Sequence, residues 1–289
     1  MGGRGKTPLV AYLARVLVAD GERPAILSRG YGRRRVEEGV VVVSDGEHVL
    51  ADVDRAGDEP LMLARAVPGA MVLVCEQRAT AAALATRTLG ATVLLLDDGF
   101  QHRAMRRDLD LVIVAAADLG ARRLPFGPLR EGPGALRRAD GIVIDGAMTD
   151  GERSRLPVPA FVMTRRLGSP RPIEPRHAAP PPGATVVALA AIAQPERFTT
   201  SLESQGWRVA KTLAFRDHHR FSSGDIAAVA AAVRETQASA VLTTEKDAIR
   251  LLSYRPLPVP VAAVPLEIAF DPPGTFDGWF ASRLREVRQ

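Results

Sequence analysis

Three observations predict an α/β fold of two domains. Short apolar strands alternate with helical patterns, a glycine-rich loop at residues 2–7 runs into an apolar helix, and a proline-, arginine- and glycine-rich stretch near 147–183 separates two alternating blocks. The loop reads Gly2-Gly3-Arg4-Gly5-Lys6-Thr7-Pro8. Its glycines let backbone N–H groups close around an anion. A lysine in that place reaches β/γ-phosphates, and a threonine hydroxyl there can hold Mg²⁺. The chain keeps only three lysines, Lys6, Lys211 and Lys246, among its many arginines. A compact ammonium at the cradle differs chemically from a planar guanidinium.

The elements follow in order. Leu9, Val10, Leu13, Val16 and Leu17 recur at helical spacing behind the loop. Strands are expected at 25–28, 40–43, 71–75, 92–96, 110–115 and 141–144. Several are continuous β-branched runs, the pattern of a parallel sheet with helices on both faces. The stretch at 147–183, with Pro180-Pro181-Pro182-Gly183, reads as a linker or extended connection. A second block starts at Thr185-Val186-Val187-Ala188-Leu189. It continues through a helix from about 195, a strand near 207–213, a helix over 223–236, strands at 240–243 and 258–264, and a helix over 276–287. The division expected is therefore 1–150 for a nucleotide-binding domain and 151–289 for a smaller α/β domain with its linker, with the cleft between them as a ligand site.

Composition narrows the class. At 289 residues and 46% apolar there is material for two cores. A single cysteine, Cys75, excludes a disulfide framework and suits a reducing compartment. No run approaches the ~20 apolar residues of a membrane-spanning helix. The net charge of +5 suits an acidic partner or an anionic membrane surface without choosing between them.

Five further segments carry chemistry. The apolar strand Val93-Leu94-Leu95-Leu96 ends in Asp97-Asp98-Gly99, followed by Phe100-Gln101-His102. Paired carboxylates at a strand end are how phosphate-loop enzymes hold Mg²⁺, and Asp-Asp-Gly is also good turn chemistry. Three glycine-marked loops follow strands: Leu27-Ser28-Arg29-Gly30-Tyr31-Gly32-Arg33, Ala56-Gly57-Asp58-Glu59-Pro60, and Gly127-Pro128-Leu129-Arg130-Glu131-Gly132. Ligands of open α/β sheets bind beyond the carboxyl ends of strands, where such loops converge. The run Phe215-Arg216-Asp217-His218-His219-Arg220-Phe221-Ser222 offers a histidine general base. It equally fits a helix start capped by Ser222 or Ser223.

Taken in order, Gly-Gly-x-Gly-Lys-Thr-Pro, Leu-Ser-Arg-Gly-Tyr-Gly, Gly-Asp-Glu-Pro, Asp-Asp-Gly-Phe-Gln-His, Pro-Leu-Arg-Glu, Asp-His-His and Thr-Glu-Lys-Asp make a specific combination. From residue 2 to about residue 252 the chain resembles the tetraacyldisaccharide 4'-kinases of lipid A biosynthesis. The resemblance implies two α/β/α domains, the first a P-loop NTPase-like parallel sheet, joined by an extended two-stranded connection for which 158–163 and 258–264 are candidates. It implies ATP and Mg²⁺ as cofactors and phosphorylation of the 4'-hydroxyl of a lipid A disaccharide 1-phosphate precursor. It also implies a monomer at the cytoplasmic face of the bacterial inner membrane, peripheral to it, with no nucleic-acid partner.

Roles carried over by motif follow. Gly2, Gly3, Arg4, Gly5, Lys6 and Thr7 would bind the ATP phosphates, and Thr7, Asp97, Asp98 and Glu131 would hold the metal. Asp58 and His218 would form the dyad that deprotonates the sugar hydroxyl. Lys6 and Arg130, with Arg29 as a further candidate, would offset charge on the phosphoryl group or substrate phosphate. His219 remains an alternative to His218, and the Lys246 segment either shapes the nucleotide site or is structural.

Three departures from the family pattern stand out. Arg4 replaces a small polar residue, and Ala190-Ala191-Ile192-Ala193 stands where glycines are usual. The hydrophobic N-terminal helix and the strand that presents the loop do not precede it. Met1 is therefore expected to be a misassigned start codon or a fragment boundary. Two rival functions are a partition- or metal-insertion-type ATPase and a non-catalytic relative that binds nucleotide or lipid.

Overall fold

The computed structural model describes residues 5–100, 105–115 and 131–288. The chain divides into two compact units. One takes Met1–Leu13, Leu95–Arg165 and Ile268–Gln289; the other takes Ala14–Leu94 and Arg166–Glu267. Both units draw on segments from either side of residue 150.

The chain enters the described region through helix α1 (Lys6–Ala19). Leu9, Leu13 and Leu17 are buried at their i, i+4, i+8 spacing. Strands β1 (Pro24–Ser28), β2 (Val41–Asp45), β3 (Met71–Val74) and β4 (Val93–Leu96) form a sheet in the order β2-β3-β1-β4. β1 and β3 are parallel, with Ala25 opposite Met71, whereas β2 runs antiparallel to β3. The parallel expectation fails at β2 for a local reason. Residues 29–40 have no helical segment to carry the chain back over the sheet, and a parallel pairing needs such a crossover. Helices α2 (Val53–Ala56), α3 (Asp58–Ala66) and α4 (Arg78–Arg87) complete this stretch.

Strands β5 (Leu111–Ala115), β6 (Gly141–Asp145) and β7 (Ala160–Leu167) are parallel neighbours, with the short helix α5 (Asp150–Arg153) between the last two. Leu136, Ile142 and Ile144 are buried against Val112, Val114 and Val162. β7 lies inside the stretch read as linker, because Ala160-Phe161-Val162-Met163 supplies an apolar run that a sheet can bury.

The five-stranded sheet of the other unit has the order β10-β9-β11-β12-β8. Its members are β8 (Arg171–Pro172), β9 (Thr185–Ala190), β10 (Arg208–Ala214), β11 (Ala240–Thr244) and β12 (Val261–Val264), parallel except for β8 at the edge. β9 is buried on both faces, since alternate residues point opposite ways. Val187 and Leu189 pack with Val229 and Val233 of α7 (Ser223–Thr236), and Val186 and Ala188 pack with Phe198 and Leu202 of α6 (Pro195–Ser204). The short helix α8 (Glu245–Leu251) follows β11 directly.

Finally β13 (Leu266–Asp271) joins the sheet of β5–β7, giving the order β13-β7-β6-β5, and α9 (Thr275–Val287) closes the chain. Residues 258–264, one candidate for the two-stranded connection, instead contain β12. The chain passes between the units within α1, β4, β7 and β13, of which β7 and β13 are adjacent strands. An aromatic cluster of Tyr12, Phe161, Phe270, Phe276 and Trp279 fills one side, and Phe270 stacks on Phe276 at 3.9 Å between ring centroids. Gly141 is required there, because a Cβ would meet the Trp279 ring at 2.6 Å. Burial, then the Asp277 carboxylate 2.6 Å away, pushes the Tyr12 phenol above its ordinary range.

Candidate functional site

In the first unit the phosphate-loop residues that are described sit at the start of α1. Gly5 has φ 76°, a left-handed conformation that favours glycine, and its carbonyl accepts the Leu9 N–H at 3.0 Å. Lys6 and Thr7 are the first two residues of the helix. Lys6 Nζ donates to Asp98 Oδ1 at 2.8 Å, and the two side chains are 43% and 60% exposed, so the pair is accessible to a ligand. Gly2, Gly3, Arg4 and Arg130 lie outside the described residues, as do Gln101 and His102.

Asp97 and Asp98 satisfy the turn reading of their motif. β4 ends just before them; Asp97 is buried, and Asp98 turns with φ 57°. A Cβ on the next residue, Gly99, would lie 2.6 Å from the Leu96 Cβ, so the turn needs a glycine. Glu131 is engaged elsewhere: Arg138 donates to its Oε2 at 2.6 Å, and the same guanidinium lies 5.1 Å above the Phe100 ring. Among the described residues no three acidic, histidine or cysteine side chains converge as a metal-holding group. Asp97 and Asp98 therefore stand as a pair without Glu131. Two carboxylates and the Thr7 hydroxyl are nonetheless the oxygen donors that Mg²⁺ takes.

The second unit assembles a denser cluster. Gly57, with φ 86°, lets the backbone turn under the Tyr31 carbonyl, 3.2 Å from where a Cβ would be. Asp58 then opens α3. His218 has φ 60°, and its N–H reaches the Ala191 carbonyl at 3.3 Å. Its Nδ1 is 3.7 Å from Asp58 Oδ2, close enough for charge interaction and too long for a hydrogen bond. Lys246 Nζ is 3.2 Å from His218 Nε2 and 3.7 Å from Glu59, which places the Thr-Glu-Lys-Asp segment beside the histidine.

Sequence reasoning missed Arg250. Its Nε and a terminal nitrogen donate to Asp58 Oδ2 at 2.8 and 2.5 Å, and the same terminal nitrogen lies 3.3 Å from His218 Nδ1. The other terminal nitrogen donates to Asp247 Oδ1 at 2.9 Å and the Ala191 carbonyl at 3.3 Å. Asp247 is fully buried. Burial pushes its carboxyl up, while the Ala191 N–H at 2.9 Å, the Thr244 hydroxyl at 2.8 Å and Arg250 offset that cost. Burial likewise pushes Glu245 up, against a hydrogen bond from the Leu266 N–H. The available signal was spacing. Arg250 stands three residues after Asp247 and four after Lys246, one face of a helix.

His219 is placed differently. It stacks on Phe215 at 4.5 Å, and its Nε2 lies 3.1 Å from Asp225 Oδ2. Asp225 also completes the capping box of α7 with Ser222. Burial works against that carboxylate, yet the Ser222 N–H, His219 and the Ser222 hydroxyl hold it below its usual range. So His218 stands near Asp58, and His219 serves the helix start. A cavity of about 380 Å³ opens on the cluster, lined by Tyr31, Arg34, Asp58, His218, Arg220 and Arg250. Such a volume suits a sugar-sized group, with cations on its walls.

Known proteins share this plan. The family model for the tetraacyldisaccharide-1-P 4'-kinases matches residues 1–285. A tetraacyldisaccharide 4'-kinase of Syntrophus aciditrophicus is 38% identical, over 96% of this chain and 79% of its own. One of Anaeromyxobacter dehalogenans (strain 2CP-C) is 43% identical, over 87% of this chain and 70% of its own. One of Bradyrhizobium sp. (strain BTAi1) is 39% identical, over 100% of this chain and 82% of its own. Among solved structures, "apo" form LpxK of Aquifex aeolicus in complex with ATP superposes with a TM-score of 0.77 at 29% identity, covering 99% of this chain and 85% of that one. The chain belongs to the tetraacyldisaccharide 4'-kinase family.

Proposed function

We infer that the chain transfers a phosphoryl group from ATP to the 4'-hydroxyl of tetraacyldisaccharide 1-phosphate, a step of lipid A biosynthesis. The observation that carries this reading is a family match over residues 1–285 that includes both the loop at Lys6 and the cluster at His218. Phosphoryl transfer asks a protein for positioning and charge neutralisation more than for covalent chemistry. The roles proposed here supply both. Gly2, Gly3, Arg4, Gly5, Lys6 and Thr7 cradle the nucleotide phosphates, with Lys6 and Arg130 offsetting charge on the transferred group. Thr7, Asp97 and Asp98 would hold Mg²⁺, which when bound neutralises phosphate charge; Glu131 is a weaker candidate because of its pairing with Arg138. His218 takes the proton of the 4'-hydroxyl, and Asp58 orients the imidazole and stabilises its charge. Residues 1–150 thus carry the nucleotide and Asp58, and 151–289 carry the base. The working site is the cytoplasmic face of the inner membrane, reached as a peripheral monomer.

The test is direct: incubate the protein with ATP, Mg²⁺ and the disaccharide 1-phosphate and follow the lipid product. Formation of the 4'-phosphorylated lipid is the expected result. ATP hydrolysis indifferent to the lipid would point to an ATPase of the partition kind, and absence of turnover to a non-catalytic relative.

A further inference from the structure

The residues of the acceptor cluster do not form a simple aspartate–histidine pair. Asp58 Oδ2 accepts two hydrogen bonds from Arg250, at 2.8 and 2.5 Å, and His218 stands 3.7 Å off. Arg250 is a fixed cation. Its side chain is 7% exposed, and its far side is tied to the fully buried Asp247 and to the Ala191 carbonyl. A guanidinium has five N–H donors and no acceptor, and it does not deprotonate in a protein. Toward Nδ1 of His218, 3.3 Å away, it can therefore only donate.

We propose that Arg250 is a positioning residue for the phosphoryl acceptor step: it pins the Asp58 carboxylate beside His218 and links it to the buried Asp247–Ala191 frame. This rests on the reading of Asp58 and His218 as the dyad. A base works when its partner carboxylate sits on the nitrogen that does not face the substrate proton. In this structure the Arg250 guanidinium faces Nδ1 and the Lys246 ammonium, 3.2 Å away, faces Nε2. To take a substrate proton on Nε2 the ring must turn its Nδ1–H from the guanidinium to Asp58 and its Nε2 from the ammonium. Arg250 holds one carboxylate oxygen of Asp58 at the edge of the imidazole, so a small rotation of His218 completes that contact. Without the guanidinium, Asp58 at the first position of α3 is free to turn to another rotamer. The frame also explains why Asp247 is buried at an energetic cost: it is the anchor of the anchor.

Steady-state kinetics on the full chain, with the disaccharide 1-phosphate as acceptor, test the proposal. Wild-type turnover comes first, and without it both this proposal and the kinase reading fall. Given turnover, Arg250→Ala should lower kcat about 100-fold while KM for ATP stays within about twofold, the signature of lost orientation. Arg250→Lys, which keeps the charge and loses the fork, should fall about tenfold and serves as the decisive variant if Arg250→Ala fails to fold. In an Asp58→Ala background either substitution should cost almost nothing more, because the carboxylate it positions is gone. A structural role alone gives penalties that multiply with that of Asp58→Ala. Such multiplication, or an Arg250→Lys protein within threefold of wild type, overturns the proposal.

Discussion

His218 and His219 are neighbours in sequence with opposite surroundings. His218 lies among Asp58, Lys246 and Arg250, whereas His219 is held by Phe215 and Asp225. Replacing His218 by alanine should lower kcat by about 10²–10⁴ with ATP affinity unchanged, the range for loss of a general base. His219→Ala should instead lower the melting temperature and leave kcat near wild type. Both outcomes are read from kinetics and a thermal scan of the same preparations. Asp225 adds a pH dependence. Its carboxyl is held below the usual range in the folded chain, so it contributes stability at neutral pH. That stability is lost as pH falls through the lowered value. An Asp225→Asn protein should lack this acid-side dependence when melting temperatures are compared from pH 7 down to about pH 3. The sequence named both histidines without separating them, because the choice depends on which aromatic and acidic side chains the fold brings near each ring. Arg250 was hidden for the same reason. Its partner Asp58 lies in a distant part of the chain.

At the scale of elements, most of the fold was written in periodicity. α7 runs over 223–236 as the pattern predicts, and β1, β3, β4, β5 and β6 fall on the apolar runs that announced them. The antiparallel direction of β2 was not legible, because β-branched Val41-Val42-Val43 is the same in either direction. Strand β7 was legible only as the extended run at 158–163, a candidate for the connection, because the prolines and arginines around it hide its full length. Two element-level tests follow. Ser222→Ala removes the hydroxyl that accepts the Asp225 N–H and should cost about 1 kcal/mol, typical for an N-cap. Gly141→Ala drives a methyl into the Trp279 ring at the start of β6 and should cost about 1–3 kcal/mol, as overpacking does. Denaturant titration measures both.

Across the whole molecule, two units are threaded by one chain that crosses between them within α1, β4, β7 and β13. Sequence composition suggested a boundary at residue 150, but chain order and compactness are different things. A segment can leave one unit and return to it a hundred residues later, as Ile268–Gln289 does. No helix among the described residues is long and apolar enough to cross a membrane. The net charge of +5 suits an acidic partner or an anionic surface, and the peripheral attachment proposed above makes the second testable. The protein should sediment with vesicles containing anionic lipid more than with neutral ones, and the difference should shrink as salt rises toward 0.5 M. Equal partition at all salt concentrations would remove charge as the basis of any surface attachment.

Ala191 is the quiet centre of the acceptor cluster. Its N–H serves Asp247, and its carbonyl serves both Arg250 and the His218 N–H. None of this involves a side chain, so a glycine or an alanine at the position offers the same atoms. An alanine scan passes over residue 191, and a larger side chain at this fully buried position reports overpacking rather than the main-chain bonds. Editing of the peptide bond itself, an ester in place of the amide N–H, would reveal that a main-chain atom helps hold the Asp247 side chain, and through it Arg250, in place.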